Sequence, residues 1–168
     1  MPWVYFDASA LIKRYSQESG TLLVNEAFRQ VPPTHMACST LGILEIVSAL
    51  VRKRNDGRLD QALFAQAMVE FRDEIIDREG FMATSVNDTL LLSALDLVAK
   101  YNLNATDAVI LRSALTLRQA LQQESAEDMM LWTSDKRLGR AARNEGLTVF
   151  DPEAEAMDHL RQYLALRT

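Results

Sequence analysis

The chain has 168 residues, of which 48% are hydrophobic and 24% charged, and its formal net charge is −5. This length suits one compact domain covering the whole chain, and the composition excludes a fibrous or disordered protein. The negative charge argues against a broad basic surface that grips nucleic acid, although it is compatible with a site that recruits divalent cations. No apolar run reaches the roughly 20 residues that a membrane span needs, and the N-terminus does not resemble a signal peptide, so we expect a cytoplasmic protein without a membrane partner.

Short apolar runs alternate with longer stretches of helical period along the chain. The predicted strands are 3–6, 35–38, 81–85, 129–133 and 148–150. The predicted helices are 10–30, 41–54, 59–78, 88–101, 106–122, 136–144 and 153 to about 166. Strands that alternate with helices form a parallel sheet with helical crossovers, so the pattern predicts an α/β fold.

Two acidic residues directly follow predicted strands. The buried-looking run "VYFDAS" ends in Asp7, and "LWTSDKRLGR" repeats this arrangement with Asp135, which also opens a helix. In open parallel sheets, ligands bind beyond the carboxyl ends of the strands. This placement makes both residues candidates for a functional site, although Asp135 also fits a helix N-cap.

Two further acids lie on apolar helix faces. Most of the 23 acidic residues must be solvated, as Asp96 illustrates with Lys100 four residues further along its helix. Glu45 in "LGILEIVSAL" has no cation among its neighbours at helical spacing, and Asp107 in "NATDAVILRSAL" has none either. An unpartnered carboxylate on an apolar face is costly, although Asp107 also fits a capping acid in a first helical turn.

These four acids would repel one another strongly if they met at one edge of the sheet. At separations of ~6 Å and an effective dielectric constant of ~20, each pair costs ~3 kcal/mol and the six pairs ~17 kcal/mol. That cost exceeds the stability of a typical domain, so the cluster must bind cations, become partly protonated, or not form. Oxygen ligands favour Mg²⁺ or Mn²⁺, and the two histidines have no recognisable zinc spacing.

The chain resembles the PIN-domain nucleases, and among them the VapC-type toxins of bacterial and archaeal toxin–antitoxin pairs. The likeness rests on "YFDASALIKRY", "LGILEIVSAL", "NATDAVILRSAL" and "LWTSDKRLGRAARNEGLTVFDP" in this order. It implies a Rossmann-like three-layer α/β/α sandwich with a parallel sheet of about five strands. It also implies that the family's catalytic acids are Asp7, Glu45, Asp107 and Asp135, of which the three aspartates hold Mg²⁺ or Mn²⁺, with Ser9 in a supporting role.

The resemblance also implies an activity and partners. The chain is expected to be an endoribonuclease that hydrolyses RNA phosphodiesters with a metal-activated water, as the toxin of a type II VapBC-like pair. VapC-like proteins are typically homodimers inhibited by a VapB-like antitoxin. Five cations near the first and last acids are candidate RNA contacts, or alternatively a solvated helix face: Lys13, Arg14, Lys136, Arg137 and Arg140.

Several other functions are weighed against this expectation. A PIN-fold RNA-processing nuclease without an antitoxin and a non-catalytic PIN scaffold remain alternatives, although a scaffold would usually have lost one of the four acids. A phosphoacceptor receiver domain would need an acidic pair after the first strand. A haloacid-dehalogenase-like phosphatase would need an aspartate where Ser9 stands, and a dinucleotide-binding domain would need a glycine-rich turn there. The basic run "VRKRNDGR" fits either a helix end or a contact with RNA or a partner.

Overall fold

The computed structural model describes residues 1–125 and 127–165 of the chain. Its strands are β1 (Trp3–Phe6), β2 (Met36–Ser39), β3 (Met82–Thr84), β4 (Met129–Trp132) and β5 (Thr148–Phe150). They form one parallel sheet in the order β3-β2-β1-β4-β5, with Phe6 of the central strand paired with Cys38 on one side and Trp132 on the other. The predicted five-stranded parallel sheet is therefore confirmed, with shifts of one residue at the ends of β2, β3 and β4.

Among the described residues, the helices are shorter and more numerous than the sequence pattern predicts. They are α1 (Ala8–Leu11), α2 (Thr21–Gln30), α3 (Thr40–Asn55), α4 (Gln61–Phe71), α5 (Asp88–Ser93), α6 (Leu95–Tyr101), α7 (Ala105–Glu124), α8 (Lys136–Asn144) and α9 (Met157–Ala165). The single helix predicted over 10–30 is wrong, because α1 continues only into a 3₁₀ turn over Ile12–Arg14 before the chain bends. The helix predicted over 88–101 is also broken at Ala94, and the expected end of the last helix lies outside the described residues.

Helices cover both faces of the sheet. Alternate strand residues such as Phe6 and Cys38 pack on one side with α1 to α4 and α9, while Tyr5 and Ala37 pack on the other with α6 to α8. Every residue of β1, β2 and β4 is buried, as expected for central parallel strands covered on both faces. The predicted three-layer α/β/α sandwich is confirmed. Within the described part of the chain, no helix is long and apolar enough to span a membrane.

Gly20 marks the break between α1 and α2. Its φ is +89°, and a Cβ added there would lie 2.6 Å from the carbonyl oxygen of Pro152. We expect Gly20→Ala to lower the free energy of unfolding by about 2–3 kcal/mol, since it adds left-handed backbone strain and a clash with backbone. Gly57→Ala is the control, because Gly57 has a φ of +77° with nothing within 4 Å of the added Cβ. Equal losses for both variants in urea unfolding would contradict this packing.

Candidate functional site

The fold delivers the four acids to the same edge of the sheet. Asp7 follows β1 and is the N-cap of α1, and Asp135 follows β4 and is the N-cap of α8. Glu45 lies in the second turn of α3, which starts directly after β2. Asp107 lies in the first turn of α7, which runs back toward the start of β4. Helices that leave a parallel strand, and the starts of helices that return to one, lie at the carboxyl edge of the sheet.

Asp7 is buried and held by hydroxyl groups. Asp7 is only 5% exposed. Its Oδ2 accepts hydrogen bonds from Ser9 Oγ at 2.5 Å and from Thr133 Oγ1 at 2.9 Å. The backbone N–H of Ser9 also donates to this oxygen at 3.2 Å. Burial raises the pKa of Asp7, while the hydrogen bonds from Ser9 and Thr133 oppose that rise. Ser9 therefore orients the carboxylate of Asp7 as well as lying at the start of a helix.

Thr133 is a residue of this site that the sequence reasoning missed. Its Oγ1 donates to Asp7, lies 3.2 Å from Ser9 Oγ, and accepts a hydrogen bond from the backbone N–H of Asp135 at 3.1 Å. The backbone N–H of Ser134 donates to Ser9 Oγ at 2.9 Å. One hydroxyl thus ties the segment that carries Asp7 to the segment that carries Asp135. The signal in the sequence was the "TSD" tripeptide directly after β4, in which only the aspartate drew attention.

Asp107 is oriented by a neighbour on its own helix. Asn104 is the N-cap of α7: its Oδ1 accepts from the Asp107 backbone N–H at 2.8 Å, and its Nδ2 donates to Asp107 Oδ2 at 2.8 Å. Asn104 therefore both caps α7 and orients the carboxylate of Asp107, so Asp107 is not itself the cap. Burial, followed by the charges of Asp135 and Asp7, raises the pKa of Asp107 to about 6, while Arg137 opposes the rise.

Asp135 and Glu45 differ in the hydrogen bonds that their carboxylates accept. Asp135 Oδ1 accepts hydrogen bonds from the backbone N–H groups of Arg137 at 2.7 Å and Leu138 at 2.8 Å, as an N-cap does. Glu45 makes no hydrogen bond or ion pair with any residue that the structure describes. Burial raises the pKa of Glu45 to about 7, with further contributions from the charges of Asp7 and Asp107 and an opposing one from Arg52. Arg52 lies two helical turns further along α3, beyond the spacings considered from the sequence.

The donor chemistry of this edge fits a hard cation. Each of the four acids is within electrostatic reach of at least one other, because Asp7 and Asp107 act on Glu45 and Asp135 acts on Asp107. Among residues 1–125 and 127–165, however, no group of three or more His, Cys, Asp or Glu is arranged to hold a metal ion directly. Mg²⁺ keeps several waters and takes only one or two carboxylates directly, so the all-oxygen donor set still suits it.

Three of the five cations proposed as RNA contacts have carboxylate partners. The buried Lys13 Nζ lies 2.5 Å from Glu153 Oε1, and Arg14 Nη2 lies 2.6 Å from Glu74 Oε1. Lys136 pairs with Asp151. Arg137 donates to the carbonyl oxygen of Asn102 at 3.2 Å and lies near Asp107, while Arg140 is exposed. Arg137 and Arg140 are therefore the members of this set most available to a ligand.

The surface pair predicted for Asp96 is wrong. Asp96 Oδ1 lies 2.7 Å from Arg112 Nη2 on α7, whereas Lys100 Nζ lies 2.8 Å from Glu145 Oε1. The partner of Asp96 is thus a cation of a neighbouring helix, Arg112, and not the expected cation of its own helix. The contrast with the acids of the site remains, since Asp96 has a cationic partner and Glu45 has none among the described residues.

The sequence model of the PIN domain matches residues 4–144, a range that contains all four acids. The chain belongs to the PIN-domain family. PIN domains are generally nucleases, and this PIN domain carries its acids at the carboxyl edge of the sheet.

Solved structures agree with this fold. The PIN domain is similar to the crystal structure of PAE2754 from Pyrobaculum aerophilum, with a TM-score of 0.58 and 18% identity over 99% of this chain and 97% of that one. It is also similar to FitAB bound to an IR36 DNA fragment, with a TM-score of 0.56 and 12% identity over 93% of this chain and 99% of that one. No curated protein matches the sequence significantly.

Proposed function

We propose that this PIN domain is an endoribonuclease that depends on Mg²⁺ or Mn²⁺ and hydrolyses RNA phosphodiesters. The observation that carries this assignment is that Asp7, Glu45, Asp107 and Asp135, from four separate segments of the chain, lie at the same edge of the sheet. Carboxylates that cluster without cationic partners repel one another and lower the stability of the folded chain, so such a cluster indicates a functional site. Membership of a family of nucleases supports the same assignment.

Each acid has a role that its surroundings favour. Asp7, Asp107 and Asp135 would hold the cation, and each is oriented by hydrogen bonds: Asp7 by Ser9 and Thr133, Asp107 by Asn104, and Asp135 by the first turn of α8. Glu45 has no such partner among the described residues, and a carboxylate whose pKa is near 7 is suited to accept a proton at neutral pH. Glu45 would therefore take the proton of the attacking water.

The reaction is an in-line displacement at phosphorus. When bound, a divalent ion offsets the charge of the scissile phosphate and of the leaving 3′ oxygen and lowers the pKa of water. A bond forms between the water oxygen and phosphorus, the bond to the 3′ oxygen breaks, and a proton passes to that oxygen. The products are a 5′-phosphate and a 3′-hydroxyl.

A cleavage assay on single-stranded RNA tests this function. The purified chain should cut RNA in Mg²⁺ or Mn²⁺, lose that activity in excess EDTA, and regain it when the ion is restored. The downstream fragment should be degraded by an exonuclease that requires a 5′-phosphate. Cleavage that persists in EDTA, or fragments that end in a 2′,3′-cyclic phosphate, would contradict the proposed mechanism.

The biological role is proposed to be that of a type II toxin held inactive by a VapB-like antitoxin. This rests on the resemblance of the four motifs to VapC-type toxins. Expression of the chain alone in a bacterium should arrest growth, Asp7→Asn should relieve the arrest, and co-expression of a VapB-like antitoxin that binds the chain should also relieve it. A nuclease that cuts RNA but leaves growth unchanged would instead be a processing enzyme without an antitoxin.

The proposed homodimer is supported by an apolar surface on α5 and α6. Leu92 is 67% exposed and Leu95 is 64% exposed, and Leu91 and Val98 lie beside them along the chain. Exposed apolar side chains grouped in this way mark interaction surfaces. We expect the wild-type chain to elute as a dimer and the double substitution Leu92→Glu with Leu95→Glu to elute as a monomer, as measured by light scattering. Leu22→Glu is the control, because Leu22 is 76% exposed on α2.

A further inference from the structure

A cavity of about 430 Å³ opens from the acidic edge toward the end of α3. Ser9, Ser134 and Asp135 line it on the side of the candidate active site, and Arg52, Lys53 and Arg58 line it on the other part of its wall. Part of the basic run "VRKRNDGR" therefore faces the same space as an acid of the site. The sequence alone fits this run either to a helix end or to a contact with RNA or a partner.

The charged residues that line this cavity differ in whether they form an ion pair. Lys13 Nζ, whose side chain is 3% exposed, lies 2.5 Å from Glu153 Oε1 and 3.9 Å from Glu18 Oε1. Lys53 Nζ lies 3.0 Å from Glu18 Oε2. The two glutamates that line the cavity are thus already paired with its two lysines. Their charges cancel within the wall, so the remaining charged residues of the lining are Arg52, Arg58 and Asp135.

Arg52 is the arginine left without a carboxylate contact. Arg58 pairs with Asp56 at 2.6 Å, whereas Arg52 makes no salt bridge with any of the described residues. Glu45 lies seven residues before Arg52 on α3, a separation of roughly 10 Å along the helix axis at ~1.5 Å per residue. Arg52 is exposed, and it lines the cavity.

We propose that this cavity is a subsite for a phosphate of the RNA strand that flanks the cleaved bond, with Arg52 as its principal contact. The inference rests on the proposed nuclease function and identifies which wall of the site holds the substrate. The planar guanidinium of arginine suits bidentate contact with phosphate oxygens. Contacts to phosphate fix the position of a strand without reading its bases, so this subsite sets the register of cleavage and not its sequence preference.

A strand of RNA fits the arrangement better than an acidic peptide does. A polyanionic strand presents one phosphate to the cation-binding carboxylates and further phosphates at regular intervals along the adjoining cavity. The lysines are neutralised by Glu18 and Glu153, so the cavity offers one strong anion contact rather than a broad basic surface. This agrees with the net charge of −5, which argues against a wide electrostatic grip on nucleic acid.

Binding of RNA can be measured apart from its cleavage. We would measure the fluorescence anisotropy of a short labelled single-stranded RNA with the full chain carrying Asp7→Asn, in Mg²⁺, between about 50 and 200 mM KCl. Adding Arg52→Gln should raise the Kd by about tenfold, since a hydrogen-bonded charge is lost, and should reduce the slope of log K against log salt by about 0.7. Arg52→Lys should fall between the two. The control is Arg72→Gln, because Arg72 is exposed, pairs with Asp77 and does not line this cavity.

The outcomes separate this subsite from the nuclease function. If Arg52→Gln changes the Kd and the salt slope no more than Arg72→Gln does, the subsite is overturned, even where the wild-type chain cleaves RNA. If Arg52→Gln weakens binding as expected but the wild-type chain cleaves nothing, the phosphate contact of Arg52 stands and the nuclease function fails. An Arg52→Gln variant that loses binding to an acidic peptide while it keeps full RNA affinity also overturns the proposal. Absence of RNA binding by the chain that carries Asp7→Asn alone overturns the subsite, and the cleavage assay on the wild-type chain then decides the nuclease function.

Discussion

Asp7→Asn should reduce RNA cleavage by roughly 10³-fold or more, the scale of losing one well-placed electrostatic group in an active site. The substitution keeps the shape of the side chain but removes the charge that a cation needs. Asparagine is also a good N-cap, so the start of α1 should be preserved. Because Asp7 is buried and its pKa is raised, we expect the free energy of unfolding to stay within about 1 kcal/mol of the wild-type value or to increase.

Asp60→Asn is the matched control for this substitution. Asp60 is the N-cap of α4, where it accepts from the Leu63 backbone N–H at 2.8 Å, and it does not belong to the candidate site. It should lose no activity. Full activity in Asp7→Asn would contradict the site, and a loss of more than about 3 kcal/mol of stability would identify Asp7 as a structural residue, on the scale of a broken buried polar network.

The stability of the chain without divalent ions should fall as the pH rises from about 4 to about 7. Folding raises the pKa of Glu45 from 4.5 to about 7 and that of Asp107 from 3.8 to about 6. Between the unfolded and folded values, the folded chain holds protons that the unfolded chain has released, so stability decreases as pH increases. Above about pH 7 the loss is complete, and we expect it to reach about 2–4 kcal/mol for the two groups together after screening and shared titration.

Urea unfolding at pH 5 and pH 8 measures this loss. The double substitution Glu45→Gln with Asp107→Asn should flatten the pH dependence, whereas Glu124→Gln, at the exposed end of α7, should leave it unchanged. Millimolar Mg²⁺ should stabilise the wild-type chain more at pH 8 than at pH 5, because binding requires ionised carboxylates. A wild-type chain that is more stable at pH 8 than at pH 5 in EDTA, by an amount that the double substitution does not change, would contradict the clustering of these acids.

Much of the fold and the placement of the acids follow from local patterns. The runs of β1 and β4 are apolar throughout and end abruptly in a polar residue, which identifies them as buried parallel strands with Asp7 and Asp135 at their carboxyl ends. Glu45 and Asp107 could be singled out because a carboxylate on an apolar helix face needs an explanation. These inferences use only neighbours within about one helical turn.

The parts that could not be predicted depend on distant contacts. Lys13 was a candidate RNA contact or a residue of a solvated helix face, but its partner Glu153 lies 140 residues further along the chain and holds the buried Lys13 in an ion pair. Arg14 is engaged by Glu74 in the same way. The break at Gly20 lies against the backbone of Pro152, a distant contact that the local sequence pattern does not contain. Thr133 was overlooked because a threonine after a strand becomes informative only once Asp7 is known to lie beside it.

Binding of Mn²⁺, measured by titration calorimetry on the full chain at pH 8, tests the central claim most directly. The central claim is that acids from four segments of the chain contribute to a single cation site. Glu45→Gln, Asp107→Asn and Asp135→Asn, made one at a time, should each weaken Mn²⁺ binding, with the two aspartate variants losing roughly 10- to 100-fold in affinity. Wild-type affinity in both Asp107→Asn and Asp135→Asn would contradict a shared site.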